Sequence, residues 1–300
     1  MIRERKPEWL KVRAPGGERY SLIKATLRSR DLHTVCEEAR CPNVGECWGA
    51  GTATFMLLGD VCTRGCRFCA VTTGNPRGAY DPREPEQVAD AVAKMGLDYV
   101  VLTMVDRDDM LDGGAAQVAR TVRTIKERNP RVLVEALTGD FQGDAPAIRT
   151  VVESGAEVFA HNVETVRRLT RTVRDVRCDY DTTLEVLEWA RRIPGRHVTK
   201  SSIMVGLGET ADEVVETMRD LRRVGVDLVT IGQYLRPSEK HHAVAAYVEP
   251  RVFASLRDEG LAMGFRFVAS GPLVRSSYKA GEVFIQSLFR EEGHGDLARA

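Results

Sequence analysis

Residues 36–69 read CEEARCPNVGECWGAGTATFMLLGDVCTRGCRFC and contain six of the chain's seven cysteines. The six form two triplets: C-x4-C-x5-C at Cys36, Cys41 and Cys47, and C-x3-C-x2-C at Cys62, Cys66 and Cys69. The run TATFMLLG at 52–59, which separates the triplets, has the apolar and β-branched residues typical of a strand. One triplet therefore precedes a predicted strand, and the other lies in the loop that follows it.

Three thiolates placed close together indicate a metal or cluster site. Thiolates are soft ligands that suit zinc, copper(I) or iron-sulfur clusters. A structural zinc site normally closes with four protein ligands, whereas a cubane cluster held by three cysteines leaves one iron open to another ligand. Gly65 and Thr63 are small enough to ease the tight turn of the second triplet. We therefore predict a [4Fe-4S] cluster at that triplet, with zinc or a disulfide framework as the alternatives.

Composition excludes several classes of function. The 300 residues include 43 basic and 43 acidic side chains, so nothing indicates bulk binding to nucleic acid or an anionic membrane. The start, MIRERKPEWLKVR, lacks the apolar core of a secretory signal, and no apolar run reaches the roughly 20 residues that span a bilayer. We expect a cytoplasmic protein, in which clustered cysteines mean metal or redox chemistry rather than disulfides.

From residue 52 onward the pattern alternates between strands and amphipathic helices. Strands are predicted at 53–58, 99–103, 132–137, 157–161, 198–205 and 227–231, with a short final strand at 265–269. Helices are predicted at 85–95, 115–127, 144–154, 164–170, 181–191, 211–224 and 249–263, with Gly96 and Gly225 ending two of them and Thr210 capping one. Right-handed crossovers between these strands predict an α/β fold, an incomplete (β/α)6 TIM-like barrel.

The barrel is expected to carry two extensions. We predict an N-terminal arm and cluster segment at 1–51, the barrel at 52–270 and a C-terminal extension at 271–300. Trp9, Leu10, Tyr20 and Leu22 are the expected anchors of the arm, which either straps the barrel or also helps to dock a protein substrate. Residues 36–51 have too many Cys, Pro and Gly for regular structure, so we expect a cluster to replace a hydrophobic core there and its loss to disorder them.

Chemistry in β/α barrels lies at the carboxyl ends of the strands, and the informative residues fall at those ends. They are the triplet Cys62, Cys66 and Cys69, then Thr103 to Asp109, His161, Asn162 and Glu164, Gly206 and Gly208, and Gln233 and Tyr234. We expect one mouth to gather them.

Several of these residues also have simpler interpretations. Asp112, with Gly113 and Gly114, fits a helix-capping loop as well as a binding loop. Glu164 at a predicted helix start could be a cap that stabilises the helix dipole. Arg174 could pair with a carboxylate, but a charged helix face explains most of its arginine run, at Arg167, Arg168 and Arg171. We interpret His241 and His242 as substrate-side or solvent residues rather than ligands.

The first triplet leaves its fourth ligand open. Cys178 is a candidate by chemistry, His33 by proximity, and a serine hydroxyl is the least expected. A lone cysteine in RDVRCDYD is more often an ordinary side chain.

A resemblance narrows these alternatives. A C-x3-C-x2-C motif followed by a β/α chain resembles the radical S-adenosylmethionine superfamily, in which the open iron binds that nucleotide. Together with the upstream triplet, the sequence resembles the lipoyl synthase family across almost its whole length. The motifs that carry the likeness are CEEARCPNVGECW, GDVCTRGCRFCAV, VDRDDMLDGGA, GLGET, TIGQYLRPS and GPLVRSSYKAGE.

The resemblance implies two [4Fe-4S] clusters and S-adenosylmethionine. Its RSSY motif, which supplies a serine oxygen to the auxiliary cluster at the first triplet, matches Arg275 to Tyr278 here, and we favour Ser277 over Ser276 as the ligand. Family members typically carry Ser at Met104 and Gly at Ser202, so this chain departs from the pattern there. The expected nucleotide-binding residues are Thr103, Asn162, Glu164, Arg174, Gly206 and Gln233.

The implied reaction is radical sulfur insertion. A 5'-deoxyadenosyl radical removes hydrogen at C6 and then C8 of an octanoyl chain on a carrier-domain lysine, and the auxiliary cluster supplies both sulfurs. The implied partners are the glycine cleavage H protein and 2-oxoacid dehydrogenase E2 subunits as carriers, ferredoxin or flavodoxin as reductant, and an iron-sulfur cluster carrier. The alternatives are thiolation of another apolar substrate, as in biotin synthase, and a two-cluster electron-transfer protein.

Overall fold

The computed structural model describes residues 6–12, 15–30, 32–38, 41–50, 52–277 and 284–289. Ser277 is therefore described, whereas Tyr278 and most of the predicted C-terminal extension lie outside the described residues. The predicted division at 51 and 270 stays a prediction.

An eight-stranded, mostly parallel sheet forms the centre of the fold. Its order is β1-β2-β5-β6-β7-β8-β9-β10; every neighbouring pair is parallel except β1 and β2. The strands are β1 His33–Thr34, β2 Thr54–Leu57, β5 Tyr99–Met104, β6 Leu133–Leu137, β7 Val158–Ala160, β8 Val198–Val205, β9 Leu228–Gln233 and β10 Phe267–Gly271. A separate pair consists of β3 Val61–Cys62 and β4 Thr72–Thr73. The described edge strands, β1 and β10, do not pair with each other, so the sheet is open, as the predicted partial barrel requires.

Helices connect the parallel strands. They are α1 Glu18–Arg28, α2 Val35–Glu38, α3 Val44–Ala50, α4 Glu84–Met95, α5 Ala115–Arg128, α6 Ala145–Val152, α7 Thr170–Val173, α8 Tyr180–Arg192, α9 Ala211–Arg223 and α10 Pro250–Ala262, with 3-10 turns at Glu8–Leu10, Phe141–Gly143 and Arg167–Leu169. The predicted ends agree at α4, which stops at left-handed Gly96, and at α9, where Thr210 forms a capping box with Glu213. No helix among the described residues is long and apolar enough to cross a bilayer.

The barrel interior is closed at the amino ends of the strands. Tyr99, Leu133, Val158, Val198 and Leu228, which stand at or near strand starts, form one buried cluster with Ile285. Residues 284–289 form the helical turn that carries Ile285, whose side chain is fully buried. The opposite end, where the strands finish, is therefore the end left for a site.

The prediction that residues 36–51 lack regular structure was wrong. Two short helices, α2 and α3, form there, because Trp48 gives the segment an apolar anchor. Trp48 is fully buried, and its ring lies 5.0 Å from that of Tyr20 on α1.

The prediction of the arm's anchors was also wrong for two of the four residues. Leu10 is buried and Tyr20 packs against the core, but Trp9 and Leu22 are 40% and 44% exposed. Ile23 and Leu27, on the inner face of α1, fill the core instead. The arm packs on the barrel through one face of α1. Which side chains lie on that face depends on the residue at which the helix begins.

The helix predicted at 164–170 starts later than expected. Glu164 bridges to Ile203 in the neighbouring strand and has a φ of 67°. The helical turns begin only at Arg167 and Thr170. Glu164 is thus at the edge of the sheet and does not cap a helix.

Candidate active site

A cavity of about 500 Å³ lies at the carboxyl ends of the strands. Its lining includes five of the six triplet cysteines and residues from the carboxyl-terminal halves of β2, β5, β6, β8 and β9. Among the residues that line it are Cys36, Cys41, Cys62, Cys66, Cys69, Thr103, Asp106, Asp140, His161, Asn162, Glu164, Arg174, Gln233, Arg275, Ser276 and Ser277. One mouth therefore gathers most of the expected residues, and both triplets reach it, but residues 107–109, Gly206 and Gly208 are absent from its described lining.

The backbone amides of the loop at 62–69 donate hydrogen bonds to the segment after β5 and to the end of α7 and the residues that follow it. The amide of Thr63 donates to the carbonyl of Asp106 (3.0 Å), the amide of Gly65 to the Asp175 carboxylate (2.7 Å), and the amide of Arg67 to the carbonyl of Val173 (2.9 Å). The loop conformation is consequently set by neighbouring parts of the barrel.

Amide groups also point at the sulfurs of this loop. The Arg64 amide lies 3.4 Å from the Cys62 sulfur, and the Asp175 amide lies 3.3 Å from the Cys66 sulfur. Such donors stabilise thiolate sulfur, and hydrogen bonds to cluster sulfurs help to set the cluster's potential.

A buried arginine holds the loop from beneath. The Arg64 side chain is only 2% exposed and forms ion pairs with Asp108 at 2.8 Å and Asp140 at 2.5 Å. Asp106 lies 3.8 Å from the same guanidinium, and its pKa is raised to about 6, chiefly by burial. Three carboxylates thus surround the guanidinium of Arg64, which stands between Cys62 and Cys66 in the sequence.

The thiols of the loop are electrostatically poised for a cation. Burial, aided by Asp106, raises the pKa of Cys62 to about 12, and burial also raises the pKa of Cys69. The contact with the Cys178 sulfur, at 3.9 Å, and burial raise the pKa of Cys66. Added positive charge, such as a bound metal would supply, favours the thiolate form of all three.

A second, smaller cavity contains the other triplet. Cys36, Cys41, Cys47 and Ser277 all line it, together with Arg275. Burial raises the pKa of Cys36 to about 11, so this thiol also needs a cation to ionise. Of the two serines, only Ser277 lines both cavities.

The donor sets fit iron-sulfur clusters better than single ions. None of the seven cysteines, all of which are described, forms a disulfide. Within the described ranges, no three His, Cys, Asp or Glu side chains converge closely enough for one metal ion. Cysteine thiolates are the ligands that hold iron-sulfur clusters, so the residue types of both triplets fit such a group.

One wall of the large cavity carries buried polar atoms that have no hydrogen-bond partner in the described protein. The Nδ1 of His161 lies 2.9 Å from the Thr138 carbonyl, which leaves Nε2 unpaired, and Arg174 Nε is likewise unpaired. Burial lowers the pKa of His161 to about 4, so the ring is neutral at pH 7. Unpaired buried polar atoms facing a cavity are groups that a ligand can satisfy.

Asn162 and Glu164 lie on the same wall. The Asn162 amide donates to Glu164 Oε1 at 3.1 Å, and burial raises the pKa of Glu164. The left-handed φ of Glu164 is unusual for a residue with a side chain, and such strain clusters at binding sites.

Gly206 and Gln233 have mainly packing roles. A Cβ on Gly206 would collide with the Gln233 amide, and Gly206 is absent from the described cavity lining. Gln233 lines the cavity, but its Nε2 donates to the carbonyls of Val205, Tyr234 and Ala246. Their contact with a nucleotide stays a prediction.

The simpler interpretation fits Asp112, whereas the roles of the two neighbouring histidines stay predictions. Asp112 accepts hydrogen bonds from the amides of Gly114 and Ala116 and so caps α5. His241 and His242 are half-buried in the loop after β9 and do not line the described cavity.

Cys178 lies beside the second triplet, with its sulfur 3.9 Å from that of Cys66. It does not reach the first triplet's cavity, whose described lining omits it, so it is not placed as that site's fourth ligand.

Sequence reasoning missed Asp140, Arg64 and Trp48. Asp140 follows the third long strand, β6, and reading every strand end for carboxylates would have found it. Arg64 stands inside the cysteine motif, but its burial depends on aspartates from two other loops, and no local pattern signals that.

Comparisons with known proteins agree with this geometry. The family model for the radical SAM superfamily matches residues 56–221, and the model for the N-terminal domain of lipoyl synthase matches residues 1–41. The lipoyl synthase of Sorangium cellulosum is 63% identical over 302 residues, covering 96% of this chain and 81% of that protein. That of Thermus thermophilus is 58% identical over 95% and 88%, and the chloroplastic enzyme of Ricinus communis is 53% identical over 98% and 82%.

Solved structures support the fold. The crystal structure of methylornithine synthase aligns with a TM-score of 0.55 at 16% identity, over 87% of this chain and 81% of that one. The hydrogenase maturase HydG from Carboxydothermus hydrogenoformans aligns with a TM-score of 0.53 at 14% identity, over 89% and 78%.

Proposed function

This chain belongs to the lipoyl synthase family of the radical S-adenosylmethionine superfamily, and on that premise we propose that it inserts sulfur at C6 and C8 of an octanoyl chain held in amide linkage on a protein lysine. The enzyme is a sulfurtransferase, and the product is a dihydrolipoyl group.

The observation that carries this proposal is the shared cavity. Cys62, Cys66 and Cys69 line the same space as Cys36, Cys41 and Ser277. An enzyme that forms a radical at one site and transfers sulfur from another needs both sites to face one substrate. A protein that only relays electrons does not need a cavity of about 500 Å³ between its two clusters.

We assign the residues as follows. Cys62, Cys66 and Cys69 hold the cluster that binds S-adenosylmethionine, and Cys36, Cys41, Cys47 and Ser277 hold the auxiliary cluster. When bound, the cluster at Cys62, Cys66 and Cys69 supplies the electron that yields a 5'-deoxyadenosyl radical, and the auxiliary cluster supplies the sulfur. Serine is a harder ligand than cysteine, so it holds iron less firmly, which suits a cluster that gives up its sulfur.

The polar wall is suited to the nucleotide. Asn162 and Glu164 offer an amide and a carboxylate, and Arg174 has one unpaired N–H. An amino acid group bears both charges, so this wall can bind its ammonium at Glu164 and its carboxylate at Arg174. Thr103 lines the same cavity, whereas Gly206 and Gln233 shape the wall by packing.

The apolar lining is suited to the acyl chain. Met56, Val71, Leu137, Ile203 and Met204 all face the cavity. A dry, apolar channel aligns an unactivated alkyl carbon and excludes groups that would quench a radical.

The substrate is an octanoylated carrier protein, and we propose the glycine cleavage H protein and 2-oxoacid dehydrogenase E2 subunits as carriers. Ferredoxin or flavodoxin would donate electrons, and a cluster carrier would reload the auxiliary site. Reduced thiol ligands are best maintained in the cytoplasm, which we propose as the location.

The test is an anaerobic assay of protein reconstituted with iron and sulfide, given dithionite, S-adenosylmethionine and an octanoyl-lysyl peptide. We expect mass spectrometry to detect singly and then doubly thiolated peptide. Cys41→Ala should cleave S-adenosylmethionine without inserting sulfur, and Cys66→Ala should do neither. Cleavage without sulfur transfer by the fully loaded wild-type protein would reject the substrate, and absence of cleavage would reject the enzyme class.

A further inference from the structure

Arg275 lies at the junction of the two cavities and lines both of them. Its Nη1 donates to the carbonyls of Val274 at 2.7 Å and Gln233 at 3.2 Å, which fixes the guanidinium against the end of β9. Its Nη2 is buried and has no hydrogen-bond partner in the described part of the chain. One edge of the guanidinium is thus anchored, and the other is left unsatisfied.

The backbone around Arg275 is held firmly. A Cβ on Gly232 would collide with the carbonyl oxygen of Val274, so only glycine in β9 lets the 274–275 segment approach this closely. The Asn43 side chain donates to the Leu273 carbonyl at 2.6 Å and so ties the segment to the first triplet. The position of Arg275 is therefore set by the parts that form the auxiliary site.

Within the described part of the chain, no acidic side chain forms an ion pair with Arg275. Among the described residues that line the smaller cavity, Arg275 is the one charged side chain beside three cysteines and Ser277. Arg64 in the other site contrasts with it, because three aspartates surround that guanidinium. A buried cation without a carboxylate calls for another anion, and the Cys41 side chain is its electrostatic neighbour.

Building on the proposed function, we propose that Arg275 is a positioning residue of the auxiliary site whose guanidinium compensates the negative charge of the cluster held by Cys36, Cys41, Cys47 and Ser277. The anchored edge fixes the group, and the unpaired N–H donates to anionic sulfur at the boundary between the cavities. The arginine therefore keeps the cluster intact until substrate arrives and eases its reduction.

The experiment uses the full-length chain with Cys62, Cys66 and Cys69 changed to Ala, so that only the auxiliary cluster is loaded. Arg275→Gln, Arg275→Lys and Arg266→Gln are compared in this background. Arg266 is an exposed arginine just before β10, and its substitution removes the same charge away from the cavities. Two quantities are measured without S-adenosylmethionine or peptide: the reduction potential of the cluster and the rate at which a ferrous chelator captures its iron.

We expect Arg275→Gln to lower the potential, because the added electron loses a compensating charge. Iron release should be about tenfold faster, the effect of losing one charge-assisted hydrogen bond. Arg275→Lys should keep a potential near that of the parent because it keeps the charge, and Arg266→Gln should match the parent in both measurements.

A potential and release rate in Arg275→Gln equal to those of Arg266→Gln would overturn the inference. If Arg275→Gln loads no cluster, Arg275→Lys decides: loading at the parent level supports charge compensation, and failure to load overturns it. The outcome is separable from the proposed function. A shifted potential in a protein that fails to thiolate octanoyl peptide would retain the inference and reject the function.

Discussion

The two cysteine sites share one cavity but are built in opposite ways. Cys62, Cys66 and Cys69 lie in one short loop that hydrogen bonds and buried ion pairs hold against the ends of several strands. The auxiliary site joins two segments that are far apart in the chain, around Cys36 to Cys47 and at 273–277, and the Asn43 side chain links them by donating a hydrogen bond to the Leu273 carbonyl. The site at Cys62, Cys66 and Cys69 is therefore preformed by the barrel, whereas the form of the auxiliary site depends on what it binds.

This difference matches the proposed chemistry. In that proposal the site at Cys62, Cys66 and Cys69 must return unchanged after each turnover, and a rigid loop serves that need. The auxiliary site must release sulfur and be loaded again, which is easier where fewer contacts hold the ligands. Four variants test the comparison, from the largest expected effect to the smallest.

Asp140→Asn should have the largest effect, because it removes one of the acids that neutralise buried Arg64. Breaking a buried pair by removing one partner costs about 3 kcal/mol, whereas an exposed pair is screened by water and contributes little. Urea unfolding of the cluster-free, reduced protein measures the loss. Asp81→Asn, at an exposed pair with Arg83, is the control. Equal losses in the two variants would mean that the loop is not preformed by its ion pairs.

His161→Gln tests whether the His161 ring on the polar wall of the large cavity is buried in its neutral form, through the pH dependence of stability. The pKa of His161 is lowered from 6.5 to about 4, so between those values the unfolded chain binds the extra proton, and stability falls as pH falls. The wild type should lose about 2 kcal/mol more than His161→Gln between pH 7 and pH 5. The comparison cancels Asp106, whose raised pKa acts in the opposite direction. Half-buried His197, substituted in the same way, is the control; matching pH profiles for His161→Gln and wild type would contradict the buried neutral ring.

Ser277→Ala tests the auxiliary site, whose ligands are held by fewer contacts. We expect sulfur insertion to fall about tenfold, the lower end of the range for loss of a group that supports a metal, with cleavage of S-adenosylmethionine unchanged. Ser276→Ala is the matched neighbour and should retain insertion. The assay compares thiolated peptide with 5'-deoxyadenosine in each variant. A loss at Ser276 and none at Ser277 would reverse the ligand assignment.

Asp112→Ala should have the smallest effect. Its carboxylate caps α5, so the substitution should lower the free energy of unfolding by about 1 kcal/mol and leave the cleavage rate unchanged. Thr210→Ala, which breaks the capping box of α9, should cost about the same. Slower cleavage in Asp112→Ala alone would show that the loop takes part in binding.

The sequence predicted well the strands of the barrel and the loop that carries Cys62, Cys66 and Cys69, for a local reason. These three cysteines lie within a motif that follows a strand, and strand periodicity is visible in short windows. The core strands of the structure lie within about two residues of the predicted ranges, as β8 Val198–Val205 and β5 Tyr99–Met104 illustrate.

What the sequence did not reveal depends on contacts between distant segments. Arg64 meets Asp140 only after the third strand is in place, and Ser277 meets Cys36 only across the mouth of the barrel. Trp48 was overlooked because the cysteines and glycines around it suggested irregular structure, although one buried indole is enough to anchor two short helices.

The distance between Asn43 and Leu273, 230 positions along the chain, also has a consequence for biosynthesis. A ribosome that has completed the first triplet must add those residues before the serine oxygen exists, which takes roughly 10 to 50 s at ordinary rates of synthesis. The loop at 62–69, in contrast, has all its ligands almost at once. On the proposed assignment, the nascent chain therefore holds all three cysteines of the radical-forming centre early in translation, whereas the ligands of the sulfur-supplying site are complete only when translation is nearly over.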